Sequence, residues 1–83
     1  HNEEFSITSN IKAITFNPEV PEPIKKSFAK FTMFSLANYT YSTILVGKDY
    51  ISFEAGFGEE DFGSTVTVPF YAIFQLIAND SIL

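Results

Sequence analysis

A chain of 83 residues with a formal charge of −5, no cysteine and only five Lys plus Arg can form one domain at most. Burying about 60% of its unfolded surface gives it a small core, with neither disulfides nor thiolate metal sites to reinforce it. The shortage of cations argues against nucleic acid, whose affinity comes largely from neutralised phosphates, and no apolar run reaches the roughly 18 residues that span a bilayer.

Residues 1–10 read as an N-terminal segment that is frayed or left over from cloning, polar over residues 1–4 and with the only histidine at His1. Residues 11–16 are rich in β-branched and aromatic side chains and predict a short strand, ended by Asn17-Pro18. Pro18, Pro21 and Pro23 then predict an extended connection without helix. Residues 28–36 predict a long strand with Ala29, Phe31 and Met33 on one face and Phe28, Lys30, Thr32 and Phe34 on the other. Residues 38–42 are polar enough to turn, residues 43–46 suit a strand, and Gly47-Lys48-Asp49 reads as a turn in which glycine supplies the unusual dihedrals.

The clearest signal is the alternation of Ile51, Phe53, Ala55 and Phe57 with Ser52, Glu54 and Gly56, the period of a strand with one buried face. An acidic turn with Glu59, Glu60 and Asp61 leads into a second strand around Thr65-Val66-Thr67-Val68. The segment 69–77 is rich in strand-favouring Phe, Tyr and Ile, but Pro69 at its first position and the unbroken apolar run behind it predict a helix of about two turns. Short strands closed by a terminal helix make a mainly β protein, read as a small bent barrel or half-barrel. Ten Phe and four Tyr supply more aromatic area than so small a core hides, so part of it is either interface or a Phe-rich interior.

Catalytic chemistry finds little foothold. His1 at a chain end cannot anchor a dyad, there is no Cys nucleophile, and no serine sits in a Gly-x-Ser-x-Gly elbow. Glu59, Glu60 and Asp61 lack the alternating acids of a calcium loop and read as a solvated turn. Gly56, Gly58 and Gly63 do not form a phosphate loop, since no Lys-bearing glycine turn opens a helix and the adjacent acids repel phosphate. The expectation is a protein that is not an enzyme and binds neither metal nor cofactor.

Three pieces of the sequence carry a family likeness. Ile14-Thr15-Phe16 leads to Val20-Pro21, Met33-Phe34-Ser35-Leu36-Ala37 follows, and Asp49-Tyr50-Ile51-Ser52-Phe53-Glu54-Ala55-Gly56-Phe57-Gly58 precedes Val66-Thr67-Val68-Pro69 and Ala72-Ile73. In order and spacing they resemble the stringent starvation protein B (SspB) family of bacterial adaptors for the ClpXP protease, with its I-V-L-N-I-A, D-x-V-x-F-x-A-R-F-G and V-x-V-P-x-x-A-V segments. The likeness runs over residues 11–57 and 66–77.

The resemblance implies an Sm-like, SspB-like barrel over residues 11–83 that holds an extended peptide in a surface groove. It implies ssrA-type degradation tags as ligands, and delivery to a ClpX-type AAA+ unfoldase through a C-terminal tail not present after Leu83. Met33, Phe34, Ala55 and Phe57 are the expected groove residues, with Gly56 at the rim. Ala55 matches the family's small groove residue. Gly56 stands where the family has Arg, and a groove without that Arg beside Glu59, Glu60 and Asp61 should repel an acidic tag, which makes a neutral or basic peptide an equal expectation. The cysteine-free composition and the resemblance together suggest a bacterial cytoplasmic protein. A homodimer, or an assembly domain that uses its apolar surface for oligomerisation or docking, is the competing expectation.

Overall fold

The computed structural model describes residues 4–78 and 81–82. Among the described residues eight strands form two four-stranded antiparallel sheets. The first has the order β3-β1-β7-β8, built from β1 (Glu4–Asn10), β3 (Phe31–Ala37), β7 (Ile73–Ala78) and β8 (Ser81–Ile82). The second has the order β2-β6-β5-β4, built from β2 (Thr15–Asn17), β4 (Leu45–Val46), β5 (Tyr50–Phe57) and β6 (Phe62–Pro69). Helix α1 (Glu22–Ser27) links β2 to β3, and the one-turn helix α2 (Asn38–Ser42) follows β3 directly.

The core lies between the sheets. Ile7, Phe34 and Leu36 come from the first sheet and Phe16, Ile51, Phe53, Val66 and Val68 from the second, joined by Ile14 and Val20 from the connections. On β5 and β6 the alternation read from the sequence holds, because Ile51 and Phe53 face the same interior as Val66 and Val68. An aromatic cluster closes one end. Phe28 stacks on Phe16 with centroids 5.5 Å apart and meets Phe57 edge-on at 5.8 Å, while Phe34 meets Phe53 at 5.7 Å. Such offset and edge contacts suit the ring quadrupole.

Several expectations are corrected. Residues 4–10, expected to fray, form β1, which lies between β3 and β7 and buries Ile7 and Ser9 completely. Its inward residues Phe5, Ile7 and Ser9 alternate with polar ones, so the strand period is present but partly written in serine. His1 lies outside the described residues. The strand expected over 11–16 is a 3-10 turn at Ile11–Ala13 followed by β2 at Thr15–Asn17. Pro23 does not prevent a helix; it sits in the first turn of α1, where a missing N–H removes no intrahelical bond. Glu22 at the start and Lys25 and Lys26 at the end of α1 complement its dipole.

The long strand begins at Phe31, not at 28, although its two faces divide as expected, with Phe34 buried and Phe31 and Met33 exposed. Residues 38–42 coil into α2, and only Leu45–Val46 of 43–46 pairs as a strand. Gly47 does not supply a positive φ; its missing side chain leaves room for the Tyr50 ring. Among the glycines the positive φ belongs to Gly58 at 76°, which opens the acidic turn of the β5–β6 hairpin, and Asp61 in the same turn is also left-handed at 53°. Finally, the terminal helix is absent. Phe70–Ala72 is a 3-10 turn and Ile73–Ala78 is β7, hydrogen-bonded along β1, so strand propensity together with a waiting partner outweighed the helix-start signal of Pro69. The result is two stacked sheets, not a closed barrel.

Candidate functional site

Strand β5 is longer than its neighbour β4. β4 pairs only Leu45 with Ser52 and Val46 with Ile51. On that side of β5 the Tyr50 carbonyl accepts from the Gly47 N–H at 2.8 Å, and the Glu54 N–H donates to the Thr43 Oγ1 at 2.8 Å. The Thr43 hydroxyl therefore stands in for a ladder partner, and it donates in turn to the Thr40 carbonyl at 2.7 Å. Because alternate residues present their main chain to the same edge, Gly56 is next in line on this side. No described strand pairs with it there.

A groove of about 610 Å³ opens beside this edge. Its floor is the outer face of the second sheet, where Glu54 lies opposite Thr65 and Gly56 opposite Gly63. Asn17 and Pro18 of the β2 end form one wall, and Tyr39 and Thr40 of α2 form the other. The facing glycines strip side chains from the floor, which lets another backbone approach closely. A Cβ at Gly63 would meet nothing within 4 Å, whereas one at Gly56 would run into the Asp61 carboxylate, which folds back over it.

The groove is acidic. Tyr39 donates its hydroxyl to Glu54 Oε1 at 2.7 Å, and Asp61 completes the lining, which holds no cation among the described residues. The hydrogen bond to Glu54, then that carboxylate's charge, then a little desolvation raise the Tyr39 pKa above its ordinary 10.0. Below the groove, buried Ser64 donates to the Pro18 carbonyl at 2.8 Å and ties β6 to the β2 exit. Among the described residues no group of three or more His, Cys, Asp and Glu is placed to hold a metal. No helix among them is long and apolar enough to cross a membrane.

The five residues expected from the sequence do not gather at one place. Ala55 and Gly56 line the groove. Phe34 is 7% exposed, inside the core, and Phe57 packs edge-on against Phe16, Phe28 and Phe34. Both support the strand from within and present no open groove surface. Met33 is 58% exposed on the outer face of the other sheet. Sequence reasoning passed over Glu54, Tyr39, Asn17 and Thr65. Glu54 was accessible to it as the outward partner of Gly56 at strand period, but Tyr39 depends on how α2 folds back on β5.

Compared with known proteins, the sequence matches no protein-family model and no curated protein.

Proposed function

We propose that this chain is a peptide-binding adaptor domain that captures an extended, tag-like peptide along the open edge of β5, and that it acts by binding without catalysis. The open edge at Gly56 carries this reading. A peptide laid there gains main-chain hydrogen bonds by strand addition, while the neighbouring groove receives its side chains. Glu54 and Asp61 select against acidic ligands and favour neutral or basic ones. The likeness to the SspB family supports the adaptor role and is the sole basis for the further steps: recognition of an ssrA-like tag, delivery to a ClpX-type unfoldase, and a cytoplasmic setting.

The test uses fluorescence anisotropy with a labelled ssrA-type peptide and a version whose acids are replaced by Lys. Saturable binding is expected, tighter for the Lys version, and lost in Gly63→Val. That variant places its side chain in open space on the groove floor and keeps the fold, since strand glycines are themselves destabilising by roughly 0.5–1 kcal/mol. Binding that Gly63→Val leaves intact, with melting also unchanged, would move the peptide off this groove.

A second reading, an assembly domain, is favoured by one feature. β4 is an edge strand whose Leu45 and Val46 are both largely exposed, a pattern suited to edge-to-edge pairing. Sedimentation showing concentration-dependent association that Leu45→Lys abolishes would support it.

A further inference from the structure

The outer face of the first sheet holds a second concavity unrelated to the groove. Phe31 on β3 and Phe74 on β7 flank β1 on either side, yet their rings meet with centroids 5.3 Å apart. Strands two apart are separated by roughly 10 Å, so both side chains lean inward across the end of β1. The register of β1 against β7 shifts between Thr8 and Ser9 at this point, and such irregularities re-aim side chains. Two 3-10 turns close the ends, Ile11–Ala13 bringing Lys12 and Phe70–Ala72 bringing Tyr71. They are tied in place by the Ile11 N–H donating to the Lys30 carbonyl at 2.8 Å, and by buried Ser9 donating to the Ala72 carbonyl at 3.0 Å.

The resulting cleft of about 500 Å³ keeps its aromatic lining in water, with Phe74 73% exposed and Tyr71 87% exposed. Its charge is opposite to that of the molecule. Ten carboxylates outnumber five lysines in the chain, but among the described residues the cleft is lined by Lys12 and by no acid, and the Lys30 ammonium stands 5.8 Å from the centre of the Phe31 ring. Aromatic rings bordered by ammonium groups suit an apolar side chain flanked by carboxylates.

We propose that this cleft is a second docking site that takes an extended acidic segment of a partner polypeptide, seating an apolar side chain among Phe31, Phe74 and Tyr71 and its carboxylates on Lys12 and Lys30. The two sites then have opposite preferences on opposite sheets, and one chain can hold a neutral or basic peptide and an acidic partner at once. The charge of −5 favours a polypeptide over nucleic acid here, because only two cations face the ligand and the rest of the surface repels phosphate.

The probe is a fluorescein-labelled peptide with a central Phe flanked by Asp and Glu, titrated into the intact chain. Saturable binding is expected that weakens at least about tenfold in Lys12→Glu/Lys30→Glu and in Phe74→Ser, falls with added salt, and is untouched by Gly63→Val. Failure of the groove reading would leave this pattern in place. No saturable binding by the folded chain, or binding indifferent to both cleft variants, would overturn the proposal. So would tighter binding of an oligothymidylate than of the peptide, or self-association that Phe74→Ser abolishes, which would give the face to nucleic acid or to a second copy.

Discussion

Tyr39 is held in the groove wall by a hydrogen bond to Glu54 that shifts its own titration. The Tyr39 phenol is held in its protonated form because it donates to a carboxylate, and its ionised form would face that negative charge. A raised pKa in the folded state means the contact favours folding below 10.0 and loses that contribution as pH climbs through the higher folded value. Following the Tyr39 ring resonances by NMR during an alkaline titration checks this. Tyr39 is expected to ionise above its ordinary value in the native chain and to fall back toward it in Glu54→Ala. An unchanged midpoint in the variant would remove the contact. Individual residues were unevenly legible in the sequence. Ala55 and Gly56 were expected from the family likeness, and strand period sets them on opposite faces, Ala55 packing against the core beside Phe57 and Gly56 facing outward. That Phe34 and Phe57 point inward is made plain by the packing of Phe16 and Phe28 on them.

At the scale of elements, β1 carries the largest correction. A polar-looking segment became the second strand of a four-stranded sheet because its partners on both sides, β3 and β7, are far away in sequence. Ser9 hides the pattern: it is fully buried but satisfied by the Ala72 carbonyl, so no apolar residue was needed there. The same non-local pairing turned the apolar run after Pro69 into β7, a choice that periodicity could not make. Strands β5 and β6 were legible because their alternation is strict and their hairpin is local. Ile7→Ala provides the test of β1. Ile7 is fully buried, and its truncation is expected to cost about 2–5 kcal/mol in urea unfolding, as for other core aliphatics. A loss within about 0.5 kcal/mol, the range of surface substitutions, would mean that residues 4–10 do not build the sheet.

At the scale of the whole molecule, two sheets share one apolar core and divide the surface into regions of opposite chemistry. The outer face of the second sheet carries the acidic groove beside the free edge of β5, and the outer face of the first carries the aromatic, lysine-bordered cleft. The excess of Phe in the sequence allowed either interface or interior, and the fold uses both: Phe16, Phe28, Phe34, Phe53 and Phe57 pack inside while Phe31 and Phe74 stay in water. What composition could not reveal is which aromatics go where, since that follows from register across strands. The groove likewise depends on the pairing of Gly56 with Gly63 and on the early end of β4, neither of which a single strand's pattern contains. Capture of an extended peptide at that edge is tested most directly by amide hydrogen exchange of Gly56, followed by NMR without peptide and at saturation with the Lys-substituted peptide. Strand addition at β5 predicts that the Gly56 amide slows at least about tenfold while that of Glu54, already bonded to Thr43, changes little. A Gly56 amide that exchanges equally fast in the saturated complex would contradict it.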